Sequence, residues 1–306
     1  MKVLVATEKP FATIAVEGIR KVVEGNGHEL VLLEKYTAVE ELTAAVGDVD
    51  ALIVRSDKVT ATLLDAAPKL KIVVRAGAGY DNIDLDAATA CGIIVENTPG
   101  QNSNAVAELA FGMLIMAVRN MYAGTSGSEL QGKSIGIQAF GQVGRNVARI
   151  AKGFGLTVNA LDPYCPDQVM EDFGVQPIHD LQKLYRENKF VSIHIPATAE
   201  TRGSIGYELI SLMPKDGVLI NTARKEVIDE SGLAQALSER SDLKYVADVR
   251  PDNAEELLEK FPTQVFFTPK KMGAQTAEAN INAGIAAARQ IVSYFLDGDT
   301  RFQVNK

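Results

Sequence analysis

Polar and charged residues that could do chemistry recur directly after short apolar segments of this 306-residue sequence. Such apolar segments, separated by helical stretches, are typical of parallel strands. Ligands bind where the carboxyl ends of these strands meet, so we expect the polar residues to line binding sites. They are Arg55-Ser56, residues 75–82, Asn102, His194 to Pro196, residues 221–224, Asp248 and Lys270-Lys271.

Arg224 is the strongest candidate for binding an anion. It follows the apolar segment that ends at Ile220 and the dipeptide Asn221-Thr222. The planar guanidinium group suits bidentate hydrogen bonding to a carboxylate or a phosphate. The alternative is a surface salt bridge, but an anionic ligand better explains an arginine at the carboxyl end of a buried strand.

Residues 133–162 predict a dinucleotide-binding unit. An apolar strand over 134–139 leads through a turn to a helix that stops at Gly155, and a second strand follows over 156–161. This strand, turn, helix and strand arrangement is the first half of a Rossmann domain.

The turn itself keeps two of the three glycines of the G-x-G-x-x-G fingerprint. Gly141 allows a pyrophosphate close to the backbone, and Gly144 allows the helix to pack close to the strand. The missing glycine is Ala139, and an alanine there requires a negative φ. The amide groups at the helix N-terminus suit the phosphates, so we expect cofactor contacts from Phe140, Gly141, Gln142, Val143 and Gly144.

Asp162 ends the second strand about 20 residues after the turn, where an acid can accept hydrogen bonds from the adenosine ribose hydroxyl groups. Its carboxylate would repel a 2′-phosphate, so NAD is favoured over NADP. The alternative is a domain whose glycines serve only packing, but the helix and the acid together favour a nucleotide.

Composition narrows the class of protein. The net charge of −8, without a long basic segment, argues against nonspecific binding to nucleic acid. The sequence opens directly on a strand rather than a signal peptide, and no apolar segment reaches membrane-spanning length, so we expect a cytoplasmic protein without a membrane partner. Cys91 and Cys165 lack the spacing of a disulfide or a metal site.

The chain is long enough for two α/β domains. Thr276 is the predicted N-cap of a long helix ending at Leu296, which returns the chain to the first domain. A very apolar helix is expected between Asn102 and Asn120. Strands are predicted at residues 2–6, 29–33, 51–54, 71–74 and 93–95 and, beyond the 133–162 unit, at 191–195, 217–220, 244–247 and 265–268.

Six segments, in order and in spacing, resemble the D-isomer-specific 2-hydroxyacid dehydrogenases, and the resemblance covers nearly the whole chain. It implies two doubly wound parallel-sheet domains, with an NAD-binding Rossmann domain over 99–275 inserted into a flavodoxin-like substrate domain made of 1–98 and 276–306. It also implies a homodimer. The segments are RSDKVT, RAGAGYDNIDLDAAT, NTPGQNSNAVAELA, SIHIPATAETRG, LINTARKEVIDE and KKMGAQTAEA.

The same resemblance implies roles for individual residues. Arg224 would hold the substrate carboxylate and polarise the carbonyl group. For Arg75 and His194, a purely structural role is as well supported as a role in binding. The expected substrate contacts are Arg55, Ser56, Ala76, Gly77, Asn102 and Lys270, and the expected further cofactor contacts are His194, Pro196, Thr222, Ala223 and Asp248.

The sequence departs from the family pattern at the acid–base pair. Most relatives use a histidine activated by a glutamate, whereas Lys271 and Asn253 stand at these places. Lys271 would accept the hydroxyl proton, which requires a pKa well below the ordinary value of about 10.4. The alternative is that Lys270 and Lys271 only clamp a phosphate. The sequence leaves open whether Glu255 or Glu256 replaces the glutamate.

The reaction that the resemblance implies is the NAD-dependent oxidation of D-3-phosphoglycerate to 3-phosphohydroxypyruvate, the first step of serine synthesis. Arg55 and the lysine pair favour a phosphorylated substrate over the alternative, a glyoxylate or hydroxypyruvate reductase. A third hypothesis is an NAD-sensing corepressor-like protein without turnover. The segment from Arg119 to Gly132 is shorter than the arm of relatives, and no serine-sensing domain is expected after Lys306.

Overall fold

A computed structural model describes residues 1–306, which fold as two compact units. The first unit comprises Met1–Asn102 and Gln275–Lys306, and the second comprises Ser103–Ala274. The sequence places the first boundary a few residues too early, after residue 98, because the chain turns through 99–102 before the next helix begins.

The first unit is a parallel sheet with helical connections. Its strands are hydrogen-bonded in the order β2-β1-β3-β4-β5, which is the flavodoxin-like order. In chain order its elements are β1 (Lys2–Thr7), α1 (Thr13–Gly25), β2 (Glu29–Glu34), α2 (Val39–Val46), β3 (Ala51–Val54), α3 (Ala61–Asp65), β4 (Ile72–Arg75), α4 (Leu85–Ala90) and β5 (Ile94–Asn97).

Both faces of this sheet are buried. Val3 and Val5 of β1 pack in the core formed with α1, whereas Leu4 and Ala6 pack in the core formed with α2. Successive side chains of a strand point to opposite faces, so a strand covered on both faces is mostly apolar along its length. This is why the strands read as uninterrupted apolar segments.

The second unit holds a seven-stranded parallel sheet in the order β12-β11-β10-β9-β6-β7-β8. The order reverses between β6 and β9, where Rossmann domains bind dinucleotides. Its elements are α5 (Ser103–Val118), β6 (Ser134–Gln138), α6 (Gln142–Gly153), β7 (Thr157–Leu161), α7 (Asp167–Asp172), β8 (Gln176–Pro177), α8 (Leu181–Glu187), β9 (Phe190–Ile193), α9 (Tyr207–Ile210), β10 (Val218–Asn221), α10 (Glu230–Glu239), β11 (Lys244–Ala247), α11 (Ala254–Lys260) and β12 (Val265–Phe267).

The last helix, α12 (Ala277–Asp297), packs against α1 and strands β3 and β4, and so completes the first unit. The predicted N-cap is confirmed, since Thr276 Oγ1 accepts a hydrogen bond of 3.1 Å from the Ala279 amide. Gly284 keeps the two helices close, because a Cβ there would lie 3.0 Å from Ile19 and from Phe11. Neither α12 nor any other helix is long and apolar enough to cross a membrane.

The predicted fold class, two doubly wound parallel-sheet domains with the Rossmann unit inserted into the flavodoxin-like one, is confirmed. Several strand ends were misplaced. Strands β4, β5 and β10 begin one residue later than predicted and β9 one residue earlier, because apolar patterns report burial whereas strand ends depend on ladder hydrogen bonds. The short edge strand β8 was missed, since two residues have no periodicity.

Glu96 of β5 is a buried carboxyl group beneath the C-terminal segment. It is 1% exposed, its Oε1 has no hydrogen-bond partner, and it pairs with Gln303 in an antiparallel bridge. The pKa of Glu96 is raised to about 7, mainly by burial and also by the nearby Asp299 carboxylate, while the Phe302 amide and Arg301 oppose the shift.

Replacing Glu96 by glutamine is expected to stabilise the protein at about pH 8 and to have little effect at about pH 5. Because the folded-state pKa lies above the unfolded value, stability from this group is present at low pH and is lost as pH rises toward 7. The loss is at most about 3 kcal/mol. Thermal unfolding at both pH values measures it, with Glu29→Gln as an exposed control. An equal change in Tm at both pH values would contradict the prediction.

Candidate functional site

The turn between β6 and α6 adopts a conformation that the sequence did not predict. Ala139 has a φ of +79°, so the expectation of a negative φ was wrong. Hydrogen bonds on both sides hold this left-handed residue. The Ala139 amide donates to the Leu161 carbonyl at 2.9 Å. At the next residue, the Phe140 amide donates to Asp162 Oδ2, and the Phe140 carbonyl accepts a hydrogen bond from Arg145 Nε. These bonds offset the conformational cost at Ala139.

The two glycines of the turn have different surroundings. A Cβ at Gly144 would lie 2.3 Å from the Ala139 carbonyl oxygen, so only glycine lets α6 pack here. A Cβ at Gly141 would meet nothing within 4 Å, and no side chain caps the helix at this residue. An open surface beside uncapped amide groups at a helix N-terminus fits the pyrophosphate of a dinucleotide.

Matched substitutions should separate these roles. Gly141→Ala is expected to leave Tm nearly unchanged and to raise the dissociation constant of NAD by about 10-fold or more, because the methyl group occupies the pyrophosphate surface. Gly144→Ala is expected to lower the stability of the fold by at least about 2 kcal/mol through the clash with Ala139. Calorimetric titration with NAD and thermal unfolding measure both. Equal effects of the two variants on Tm would contradict this division.

The other predicted cofactor residues of the turn differ in how far their side chains are exposed. Gln142 is exposed and Val143 partly exposed at the start of α6. The Phe140 side chain is fully buried against Phe173, so only its backbone is available to a ligand. Sequence reasoning missed Arg145, which stacks over both of these rings while it holds the turn.

Asp162 lies at the carboxyl end of β7, as predicted, and also organises the turn. Its Oδ2 accepts from the Phe140 amide at 2.8 Å and its Oδ1 from the Tyr164 amide at 2.9 Å. A carboxylate has about four lone-pair positions, so two remain for the hydroxyl groups of a ribose. Ribose binding by Asp162 stays a prediction.

Arg224 is exposed at the carboxyl end of β10 and forms no ion pair. Its Nη1 donates to the neighbouring Ala223 carbonyl at 2.9 Å. The buried Asn221 fixes this segment, because its Oδ1 accepts from the Ala223 amide and its Nδ2 donates to the Arg224 carbonyl, both at 2.9 Å. The surface salt bridge considered as an alternative is not formed, and a guanidinium group without an acidic partner can bind an anion.

His194 follows β9, and hydroxyl groups of its own unit lie near both of its ring nitrogens. Its Nε2 lies 2.9 Å from Ser192 Oγ and its Nδ1 3.5 Å from Thr222 Oγ1. Burial lowers the pKa of His194 to about 3, so the ring is neutral at physiological pH. The carbonyl of Pro196 accepts from Thr201 Oγ1 at 2.5 Å. These contacts give His194 a structural role, and contact with the cofactor stays a prediction.

Asp248 follows β11 and is directed at the segment that carries the lysine pair. Its carboxylate accepts hydrogen bonds from Thr268 Oγ1 and from the amides of Met272 and Gly273. Lys270 and Lys271 are exposed in this segment, which follows β12. Strands β10, β11 and β12 are neighbours, so Arg224 and the lysines leave the sheet from strands about 10 Å apart.

Asn253 stands where most relatives carry the glutamate of the acid–base pair. Asn253 precedes α11, and its backbone amide donates to Glu230 Oε2 at 3.1 Å. Glu255 pairs with Arg250, which precedes the helix, and Glu256 pairs with Lys260 within it. Whether either glutamate replaces the missing one stays a question for experiment.

In the first unit, Arg55 leaves the carboxyl end of β3. Its guanidinium group donates to the carbonyls of Lys9 and Pro10 and, at 2.5 Å, to Asn280 Oδ1, and it lies over the Phe11 ring at 5.1 Å. It forms no ion pair; burial lowers its pKa, while the charge of the nearby Asp57 opposes the shift. A desolvated cation that no carboxylate hydrogen-bonds favours an incoming anion.

A missed residue, Asp57, holds the segment that carries Arg55 and Ser56. Its buried carboxylate accepts from the Glu8 amide at 2.7 Å, Tyr36 Oη at 2.8 Å and the Arg55 amide at 3.2 Å. Ser56 itself is exposed. The only sequence signal for this network was the segment RSD, because its other donors come from distant parts of the chain.

Arg75 is a second desolvated arginine of this unit. Burial lowers its pKa, and the charge of Arg55 lowers it further. Its Nε is buried without a partner, and its guanidinium lies over Gly77, where a Cβ would be 1.3 Å from Nη1. The two guanidinium groups therefore lie close enough to interact, and neither forms an ion pair.

The loop after β4 carries Ala76 and Gly77, whose contact with the substrate stays a prediction. The Ala76 amide donates to the Val54 carbonyl and the Gly77 amide to the Arg75 carbonyl, both at 2.8 Å. The amides of Ala78 and Gly79, one and two residues further on, have no acceptor and are the available donors of this loop. Asn102 lies just before α5, with a partly exposed side chain.

A Rossmann unit with an open glycine turn, a strand-end acid and an unpaired arginine at the carboxyl edge defines an NAD-binding dehydrogenase fold. The chain belongs to the D-isomer-specific 2-hydroxyacid dehydrogenase family: residues 109–269 match the model of this family's NAD-binding domain.

Two relatives and one solved structure show which members of this family the chain is similar to. The chain is 40% identical over 82% of its length to D-3-phosphoglycerate dehydrogenase of Methanocaldococcus jannaschii, but spans only 51% of that relative. It is 38% identical to hydroxypyruvate reductase of Thermotoga maritima, covering 87% of this chain and 91% of that one. The structure is similar to the NAD⁺-bound 3-phosphoglycerate dehydrogenase of Entamoeba histolytica, with a TM-score of 0.85, 46% identity and coverage of 100% and 99%.

Proposed function

We propose that this chain catalyses the NAD-dependent oxidation of D-3-phosphoglycerate to 3-phosphohydroxypyruvate, the reaction that begins serine synthesis. NAD, when bound, supplies the acceptor for the hydride that leaves C2. Arg224 holds the substrate carboxylate through its unpaired guanidinium group. Lys271 accepts the proton of the C2 hydroxyl group, and Arg55 and Arg75 bind the phosphate.

The observation that carries the choice of a phosphorylated substrate is the arginine pair of the first unit. Arg55 and Arg75 are both desolvated, the charge of Arg55 acts on Arg75, and neither forms an ion pair, although the charges of Asp57 and Asp81 partly oppose the two pKa shifts. Two like charges brought together at a cost in free energy are best explained by a ligand with more than one negative charge. A phosphate monoester carries nearly two negative charges at neutral pH.

The alternative is a hydroxypyruvate reductase. It is favoured by the Thermotoga maritima relative, whose length the chain covers almost completely. A reductase of this kind has no phosphate to hold, so the arginine pair supports the phosphorylated substrate.

We also propose a homodimer, which sedimentation equilibrium would test.

Substitution of the arginines should change the preference for phosphate. Arg55→Gln and Arg75→Gln are each expected to lower kcat/KM for phosphohydroxypyruvate by about 10- to 100-fold, the loss typical of a charged hydrogen bond. The kcat/KM for hydroxypyruvate should change little, so the unphosphorylated acid serves as the internal control. Both are measured by NADH absorbance, and Tm verifies folding.

Either of two results would contradict the proposal. Wild-type protein that reduces both acids with equal kcat/KM supports the hydroxypyruvate reductase. Wild-type protein that binds NAD but turns over neither acid supports a binding protein without catalysis.

A further inference from the structure

Asp248 is a buried carboxylate whose hydrogen bonds all go to the segment carrying Lys271. It is 1% exposed. Its Oδ1 accepts from Thr268 Oγ1 at 2.8 Å and from the Met272 amide at 2.6 Å, and its Oδ2 accepts from the Gly273 amide at 2.8 Å. The Thr268 hydroxyl also lies 3.2 Å from the Asp248 carbonyl.

These donors lie on both sides of the lysine pair. Thr268 precedes Lys270 and Lys271, whereas Met272 and Gly273 follow them. A carboxylate that binds both ends of a short segment closes it into a loop and fixes the direction in which its side chains leave the sheet. Hydrogen bonds to a buried charge are short and strong, and removing the charge leaves several donors unsatisfied.

The packing of Gly273 shows how closely this loop is held. A Cβ at this residue would lie 3.0 Å from Asp248 Oδ2 and 3.1 Å from Val106 Cγ2 of α5. The loop is thus fixed between the carboxylate on one side and a helix of the same unit on the other. Little room is left for it to shift while the hydrogen bonds persist.

We propose that Asp248 is a positioning residue, which anchors the loop 268–273 and thereby places Lys271 for proton transfer. This proposal rests on the proposed function, since it concerns the proton acceptor of that reaction. It adds to the role implied by the family resemblance, in which Asp248 contacts the nicotinamide, because three of the carboxylate's roughly four hydrogen-bonding positions are directed at the loop.

Kinetics of an isosteric variant test the placement of Lys271. Asp248→Asn puts an NH₂ group against a backbone amide, and we expect kcat to fall by about 10- to 100-fold, as for a catalytic group moved by about 1 Å. The KM of NAD should change by a smaller factor than kcat, since the predicted pyrophosphate and ribose contacts lie outside this loop. The basic limb of the kcat profile against pH should also shift. Thr268→Val, which removes one donor, should cause a smaller loss of the same kind.

Asp216→Asn is the matched control. It removes the same charge at an exposed position before β10, where Asp216 pairs with Lys189 and has a φ of +54° that asparagine tolerates. We expect its kcat and pH profile to match those of the wild type. A higher dissociation constant for NAD in Asp248→Asn with unchanged kcat would overturn the proposal and leave only the nicotinamide contact.

Hydrogen exchange tests the anchor without turnover. In Asp248→Asn the amides of Met272 and Gly273 should exchange at least about 10-fold faster than in the wild type, while amides of β11 keep their protection. Unchanged exchange at both residues would overturn the anchor. Because this measurement needs no substrate, it remains decisive if wild-type protein fails to oxidise D-3-phosphoglycerate, a result that would overturn the proposed function alone.

Discussion

Replacing Arg224 by glutamine is expected to lower kcat/KM for the 2-hydroxy acid by about 10³-fold while leaving the affinity for NAD nearly unchanged. The reason is the unpaired guanidinium group at the carboxyl end of β10, which would form a bidentate pair with the substrate carboxylate and stabilise charge on the reacting oxygen. Steady-state rates over a range of 2-hydroxy acid concentrations at saturating NAD measure kcat/KM. Calorimetric titration measures the affinity for NAD.

Arg224→Lys separates charge from geometry. Lysine keeps the positive charge but loses the planar fork, so most of the loss in kcat/KM should persist. The Asn221 hydrogen bonds that fix the segment go to backbone atoms, so both variants should fold with an unchanged Tm. Activity of Arg224→Gln within about 3-fold of the wild type would remove Arg224 from the substrate site.

Lys271→Ala is expected to lower kcat for oxidation by about 10²- to 10⁴-fold, the contribution typical of a positioned general base. A lysine accepts a proton only in its neutral form, so wild-type kcat should rise with pH and the variant should lack this limb. Initial rates of NADH formation between about pH 6 and pH 10 measure both effects.

Lys271→Arg distinguishes proton transfer from a phosphate clamp. Arginine keeps the charge but does not lose its proton in this pH range, so it should be as inactive as alanine if Lys271 is the base. Near-normal kcat in Lys271→Arg, with only the KM of the phosphorylated substrate changed, would show instead that the lysine serves as a clamp. Lys270→Ala, one residue earlier in the same loop, tests the second lysine in the same assay.

The fold was predictable because burial on both faces makes parallel strands uninterrupted apolar segments. β1 and β3 are examples, since alternate residues of each enter different cores. The long helix α12 was predicted from its N-cap, which needs only a residue three positions away. Strand ends were less accurate because the sequence pattern reports burial rather than hydrogen bonding.

The sequence by itself also determined which residue types lie at the strand ends. Arg224, Asp162 and the glycines of the turn could be named because their positions follow from local spacing. The family resemblance, carried by the segment KKMGAQTAEA, identified Lys271 as the residue at the histidine's place. In each case the information lies within a segment of one strand and the turn that follows it.

Only the tertiary structure decided which of these groups are already occupied by the protein. Asp248 binds amides 24 and 25 residues away, and Asp57 binds an amide 49 residues away. The left-handed Ala139 is stabilised by a carbonyl from the next strand. A buried hydrogen bond forms wherever the folded backbone brings donor and acceptor together, so its partner depends on the paths of separate segments and cannot be read from the spacing of either one.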